Sequence, residues 1–516
     1  MIRLIPRVAA ALCLVVVFAA QNVKAQEQIS VYLDSTAQVI RGFGAANIVG
    51  WRPDMTDAEI ETAFGTGEGQ LGFSILRLKI DPDPGQWQRN VETAKKAFDR
   101  GVLIFASPWN APDDLLEPGV EGDTVAVDKY DEYAAHLEAF RVFMADNGVD
   151  LYAISVQNEP DYAEEWTGWS PEGMVEFLRD HAPTIGTRII APESFQFRRE
   201  MSDPILNDPL AAANTDIIGG HTYGGGLRPY PLAQKMGKEV WMTEHYTDSQ
   251  HSANLWPLAL DVAKDIQGTM FSNMSAYVWW YIVRYYGPIA DGERSASFPN
   301  EEFGEKGEVT KRGYIMSQFA RFIRPGYVRV HTDQPNPFSS VSVTAYRNGP
   351  DLVLVAVNES GSTREVALSL EGGSAERFRR YVTSATQNVE HLDDAEVSDG
   401  ALAVTLAPAS VTTFVAADAM VSTEDATTEA FILGQNAPNP VGARPATIEF
   451  ALPAPRHVTL TVYNVLGQEV ARITDGPRQA GAHEVVFDAS GLPSGVYIYR
   501  LTAGEWAAQR RMTILR

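Results

Sequence analysis

The strongest constraint on this chain is an alternation: between about Val39 and Phe322, eight short apolar runs able to form strands recur with helix-compatible stretches between them. The runs are Val39–Phe43, Ile75–Ile80, Leu103–Ala106, Tyr152–Val156, Arg188–Ala191, Ile217–His221, Glu239–Met242 and Ala276–Trp280. Strands that alternate with helices pair in parallel, because the helix supplies the crossover. Eight such units close a barrel, so an α/β fold, a (β/α)8 TIM barrel, is expected over residues 39–325. The best-marked crossover follows the third run, where Tyr133, Leu137, Phe140 and Met144 recur at helical spacing and Gly148 supplies a stop. An open doubly wound sheet would want a phosphate-cradling glycine turn after its first strand. Gly224-Gly225-Gly226 lacks the Lys-Ser/Thr of a P-loop and reads as a flexible loop.

Beyond Tyr327 the texture changes to period-two alternation broken by Asn-Gly, Gly-Gly and Asp-Gly turns. Strands are expected at Ser340–Tyr346, Leu352–Val357, Glu365–Leu370, Leu402–Leu406 and Val411–Val415, giving a side β-sandwich over residues 326–417. Ile29–Leu33, in the segment 26–38 before the barrel, is expected to join that sheet. Residues 418–430, rich in Thr, Glu and Asp, read as a linker, and 431–516 as a separate all-β unit.

Arg3 and Arg7 precede an apolar run from Val8 to Ala20, and Val23-Lys24-Ala25 resembles a cleavage site, so residues 1–25 are expected to be a signal peptide. No later stretch is long and apolar enough for a membrane span. The single cysteine, Cys13, falls inside that leader, which leaves the mature chain no disulfide, thiolate nucleophile or cysteine metal ligand. The formal charge of -24 repels polyanions, which disfavours nucleic acid and suits a neutral polymer or no charged partner at all. The nine histidines show no paired ligand spacing such as His-Glu-x-x-His, and no metal or cofactor is expected.

Glu159 follows the fourth run in Ser155-Val156-Gln157-Asn158-Glu159-Pro160, and Glu244 ends the seventh in Val240-Trp241-Met242-Thr243-Glu244. Both therefore belong to the carboxyl face of the barrel, where catalytic groups sit. Two carboxylates there are the minimum equipment for glycosidic bond hydrolysis: an acid protonates the leaving oxygen, and a carboxylate about 5 Å away attacks the anomeric carbon.

The stretch from about Gln28 to Val415 resembles glycoside hydrolase family 30, in its bacterial glucuronoxylan-cleaving subfamily. The strings that carry the resemblance are Val39-Ile40-Arg41-Gly42-Phe43-Gly44, Leu71-Gly72-Phe73-Ser74-Ile75-Leu76-Arg77, Phe105-Ala106-Ser107-Pro108-Trp109-Asn110, Tyr152 to Tyr162, Trp241-Met242-Thr243-Glu244 and Arg324-Pro325-Gly326-Tyr327-Val328-Arg329. The resemblance implies Glu159 as acid/base, Glu244 as nucleophile, and cleavage of β-1,4-xylan with retention by an enzyme expected to act as a monomer. It also implies that Asn158 hydrogen-bonds the sugar 2-hydroxyl and that Trp109 and Tyr246 wall the subsites. His221 and Tyr223 end the sixth strand on the same side, His221 being open to a purely structural reading. Arg77 would hold the nucleophile ionised, a role compatible with a core salt bridge.

In the subfamily an arginine after the eighth strand grips the glucuronate side group, within a Trp-Trp-Tyr-Ile-Arg-Arg string. Here Trp279-Trp280-Tyr281-Ile282-Val283-Arg284 places Val283 at the first arginine and Arg284 at the second, with Trp280 and Tyr281 beside it. A planar guanidinium suits a carboxylate. The segment His245–Asn254 is shorter than the family pattern and Ile289–Val309 longer. Alternatives are a general ion pair at Arg284 with activity on undecorated xylan or another β-glycan, or a non-catalytic polysaccharide binder. Residues 431–516, from Asn436-Ala437-Pro438-Asn439-Pro440 through Ser494-Gly495-Val496-Tyr497 to Arg510-Arg511, resemble the C-terminal sorting domain of the type IX secretion system, which implies that machinery as a partner and a secreted or surface location. The other reading of that unit is a carbohydrate-binding module.

Overall fold

The computed structural model describes residues 27–117, 124–162, 166–334, 340–421, 431–436, 439, 441, 445–452, 456–465, 467–478, 481–504 and 506–514. The expected signal peptide, most of the linker, and Ala437, Pro438 and Pro440 lie outside them.

A long first strand, β1 (Glu27–Val39), leads into eight strands that close the barrel. They are β2 (Gly42–Ala46), β3 (Ile75–Ile80), β4 (Leu103–Pro108), β5 (Ala153–Ser155), β6 (Arg188–Ser194), β7 (Ile217–His221), β8 (Glu239–His245) and β9 (Ala276–Tyr281). Every neighbouring pair is parallel, and β9 returns to β2. The strands are buried on both faces, as helices outside and packed side chains inside require. Ile75, Phe105, Ala153, Ile190, Ile217, Trp241, Ala276 and Val278 fill the interior. Gly44 is needed for closure, since a Cβ there would stand 1.9 Å from the Ile75 carbonyl oxygen. The crossover helix expected after the third run spans Tyr130–Asp146, and its Tyr133, Leu137, Phe140 and Met144 are all buried.

Nine strands form the side sheet in the order β16-β15-β18-β12-β11-β10-β1-β13-β17. They comprise β1, β10 (Val328–Asp333), β11 (Val341–Asn348), β12 (Asp351–Asn358), β13 (Arg364–Glu371), β15 (Arg377–Thr383), β16 (Glu390–Glu396), β17 (Ala401–Leu406) and β18 (Ser410–Ala416); β14 (Gly373–Ser374) pairs separately with β19 (Met420–Val421). The sheet's two edge strands, β16 and β17, are consecutive in the chain, so the sheet must curl over on itself around the core of Val31, Val343, Leu354, Leu368 and Phe414. This is one continuous wrapped sheet rather than two stacked ones. Gln267 from the helix Leu258–Phe271 donates to the Val355 carbonyl at 3.0 Å, and Gln318 to Thr383 Oγ1 at 2.8 Å, binding barrel to sheet.

The C-terminal unit packs a three-stranded sheet, β20 (Ile432–Leu433), β21 (Ala446–Leu452) and β24 (Gly481–Phe487), on a four-stranded one, β22 (Arg456–Asn464), β23 (Glu469–Arg478), β25 (Gly495–Ala503) and β26 (Trp506–Ile514). Ile448, Phe450, Leu460, Tyr499 and Leu501 form its core. Arg511 donates to the carbonyls of Ile185 and Thr187 at 3.2 and 3.3 Å, and Arg510 to that of Gly237 at 3.3 Å. These carbonyls precede β6 and β8, so the unit rests on the amino end of the barrel, opposite the carboxyl ends of its strands.

Candidate active site

Alternation along β3 decides where Arg77 goes. Ile75 faces the barrel interior, so Arg77, two residues on, faces the same way one layer nearer the mouth. A fully buried guanidinium there demands anions. It hydrogen-bonds Glu244 Oε2 through Nη1 and Asn158 Oδ1 through Nη2 at 2.6 Å, and Nη2 lies 3.0 Å from Glu193 Oε1. The Trp109 ring covers it with its centroid 4.5 Å from the guanidinium carbon.

Glu159 stands just past β5 with φ 46, a backbone region that costs a non-glycine residue strain and recurs at functional sites. Its carboxylate accepts from Trp166 Nε1 at 3.1 Å and pairs with His221 Nδ1 at 2.8 Å. Glu244, on β8, also accepts from the Tyr223 hydroxyl at 2.8 Å. Only the tips of the two glutamates meet the cleft, each residue being 6 % exposed.

His221 is wholly buried beside three carboxylates, at 2.8 Å from Glu159, 3.7 Å from Glu193 and 4.0 Å from Glu244. Burial opposes its charge, but Glu244, Glu159 and Glu193 together outweigh it and push the imidazole up to about 9. Burial likewise opposes ionisation of Glu193, yet Arg77 and then His221 hold that carboxyl down at about 2. Burial and the Glu244 charge drive the Tyr223 phenol well above its usual range, so it remains a donor. Glu159, His221 and Glu244 present atoms within 4.8 Å of one another, a set able to ligate a cation. Arg77 and a protonated His221 already neutralise that set and oppose a metal ion in the same space.

All of the residues singled out from the sequence lie at the barrel mouth, in two groups. Arg77, Asn158, Glu159, His221, Tyr223 and Glu244 form the buried polar cluster. Asn158 Nδ2 is buried with no partner among the described residues. Trp109 is 1 % exposed and lies beneath the cleft surface, against Trp51 and Trp280. Tyr246 touches Tyr223 and Tyr286, and Tyr281 packs against Trp280. Arg284 stands apart from the carboxylate pair. It is held by Asp291 at 2.8 Å and by Glu293, with its guanidinium carbon 4.7 Å from the Tyr285 ring centroid.

Three residues of the site carry no signal in the runs that mark the strands. Glu193 lies two residues beyond the expected end of the fifth run, past Pro192. Trp51 is 40 % exposed, stacks on Trp166 and carries the Lys79 ammonium over its face at 4.7 Å. Trp51 and Trp166 follow β2 and β5, so the rule that function gathers at carboxyl ends of barrel strands would have found both.

The chain is 44% identical to glucuronoxylanase XynC of Bacillus subtilis strain 168 over 434 residues, 80% of this chain and 99% of the relative. Two solved structures share the fold: a GH30 endoxylanase from Clostridium papyrosolvens C71, with TM-score 0.67 and 39% identity, and the family 30 subfamily 8 xylanase Xyn30A from Clostridium acetobutylicum, with 0.66 and 32%. Each match covers 75% of this chain and 99% of the other. Residues 436–505 match the FlgD Ig-like domain family, in keeping with the two-sheet C-terminal unit. A barrel with its wrapped side sheet, matched over nearly the full length of relatives this similar, places the chain in glycoside hydrolase family 30.

Proposed function

We propose that this protein is a retaining endo-β-1,4-xylanase in which Glu159 is the acid/base and Glu244 the nucleophile. The observation that carries the reading is the spacing of the two carboxylates, whose facing oxygens lie within 4.8 Å. Retaining enzymes hold their carboxyl groups roughly 5–5.5 Å apart, whereas inverting ones leave about 6.5–9.5 Å for a water. Arg77 and the Tyr223 hydroxyl stabilise a Glu244 anion, which attacks the anomeric carbon while Glu159 passes its proton to the leaving oxygen. Glu159 then takes a proton from the water that cleaves the glycosyl ester, restoring both groups. The free Asn158 amide donor and the Trp51 face offer a hydroxyl contact and a stacking surface to a sugar chain.

Xylan as substrate rests on the relatives named glucuronoxylanase and endoxylanase. Arg284 is the cation the resemblance points to for a glucuronate side group, with Tyr285 and Tyr286 against its guanidinium. A second reading, activity independent of glucuronate, is favoured by the ion pairs that already occupy Arg284. Product analysis separates them: cleavage at a fixed offset from each glucuronate supports the first, and equal rates on undecorated xylan support the second. Following the anomeric configuration of the first product by NMR tests the mechanism, and an inverted product refutes it. Glu244→Ala should abolish turnover with the fold intact.

The C-terminal unit is assigned here as a type IX sorting domain, acting after export directed by the N-terminal leader. Its Ig-like build and its seat on the barrel's amino end, clear of the cleft, support that assignment. Retention of the truncated enzyme in the periplasm, with release of the full chain, is the expected result.

A further inference from the structure

The barrel mouth holds three buried carboxylates, and the reaction proposed above uses two. The third, Glu193, lies near the end of β6 with φ 62 and has no exposed side-chain surface. Its Oε1 lies 3.0 Å from Arg77 Nη2 and 3.7 Å from His221 Nε2. Each of those cations turns its other side to a catalytic group: Arg77 Nη1 meets Glu244, and His221 Nδ1 meets Glu159. The Glu193 carbonyl also accepts from the Glu159 backbone N–H at 3.1 Å, so the two strained glutamates are tied through the main chain.

We propose that Glu193 is a positioning residue for the hydrolysis, which pins Arg77 and His221 against the catalytic pair and whose negative charge makes the cluster keep the proton that Glu159 delivers. This rests on the assignment of Glu159 and Glu244 above. The charge count gives the reason. Arg77 from β3 and protonated His221 from β7 face Glu193 from β6, Glu159 after β5 and Glu244 from β8, two cations against three anions. Ser107, Ser155, Asn158, Trp166 and Tyr223 complete the surroundings without charge. With Arg77, Glu193 and His221 fully buried, the surplus negative charge favours one proton held within the cluster as a whole. Without Glu193 the cluster balances with both catalytic carboxylates ionised, and the proton needed at the leaving oxygen departs at lower pH.

The test is the pH profile of kcat/KM for the full chain on glucuronoxylan, comparing wild type with E193Q and E193D. E193Q should move the alkaline limb to lower pH by on the order of one unit, the size of one removed charge at this range. Its kcat should fall more than KM changes, and E193D, which keeps the charge, should hold the wild-type limb. A lowered E193Q profile with unmoved limbs overturns the proposal, as does an E193D limb displaced as far as that of E193Q. If E193Q does not fold, nitrogen NMR of the wild-type histidines decides: a His221 still cationic above pH 8 supports the role, and titration near its ordinary 6.5 overturns it. Wild-type turnover by Glu244→Ala would instead defeat the catalytic assignment, so the two failures are distinct.

Discussion

His221 Nδ1 lies 2.8 Å from Glu159 Oε1 with the imidazole fully buried. A histidine there is charged because its neighbours are, and its protonation is linked to folding. Its pKa rises from 6.5 to about 9, so the folded state binds the proton more tightly than the unfolded one. The resulting stability is complete below pH 6.5 and is lost as pH rises through about 9. That span corresponds to on the order of 3 kcal/mol. Denaturant unfolding of wild type and His221→Gln should therefore differ most near pH 6 and converge by about pH 9.5; a constant gap would show that His221 is neutral in the fold.

Arg77 should be the least replaceable residue of the site. Arg77→Met leaves Glu193 and Glu244 buried without their cation, an arrangement that costs about 3–5 kcal/mol. Glu193 fixes the pH dependence. Its folded pKa of about 2 lies below the ordinary 4.5, so its contribution is present above pH 4.5 and lost as pH falls toward 2. The stability gap between wild type and variant should thus narrow on acidification from pH 5 to pH 2.5, measured by chemical denaturation. Arg77→Lys keeps the charge but cannot reach Glu244, Asn158 and Glu193 together, and should lose activity more than stability.

The barrel was legible because burial on both faces makes parallel strands into apolar runs, and all eight appear where the runs lie. Their ends were less so. Val39 belongs to β1 and the side sheet, and the barrel begins only at Gly42, where φ 142 turns the chain from one sheet to the other. The fifth run was expected to end at Ala191, yet β6 runs on through Pro192 to Ser194 and carries Glu193 with it. The strand β16, Glu-His-Leu-Asp-Asp-Ala-Glu, is an exposed edge held by main-chain hydrogen bonds, so its side chains carry no alternation to read. Glu159 and Glu244 were placed by strand counting, and Arg77 and His221 entered through the family resemblance, but Glu193, which faces both cations, did not: nothing local in a sequence reports that β3, β6 and β7 meet on one axis.

Arg284 is engaged by Asp291 and Glu293, the latter also 3.1 Å from Arg52. On the proposed reading, a glucuronate carboxylate competes with these anions for the guanidinium. Replacing both, as Asp291→Asn with Glu293→Gln, should raise kcat/KM on glucuronoxylan relative to undecorated xylan by about 3- to 10-fold, the scale of partly exposed ion pairs. Arg284→Ala should abolish whatever preference the wild type has. Unchanged ratios in both variants would show that Arg284 serves the loop alone.

The C-terminal unit touches the barrel through Arg510 and Arg511, whose guanidinium groups donate to three barrel carbonyls. Its own core, from Leu433 to Ile514, is separate from that of the barrel and of the side sheet. A chain ended after Val421 therefore keeps both of those cores and every residue of the carboxylate cluster. Cutting there exposes Lys238, whose pKa is depressed to about 8 by burial and then by Arg510. With solvent restored and Arg510 gone, Lys238 should return toward its ordinary 10.5. The expected outcome is wild-type kcat on xylan and a melting temperature lowered by only a few degrees at neutral pH. The hydrogen bonds that truncation removes are polar and shallow, worth about 1 kcal/mol each. A depressed lysine destabilises the docked form below pH 8, where the ammonium must be held charged against burial, and that penalty fades as pH rises toward 10.5. The full chain should therefore gain on the truncated one between pH 8 and 10, and the difference in melting temperature should widen there. A truncated enzyme that loses kcat would show that the unit acts on the cleft through the barrel, contrary to its seat at the opposite end.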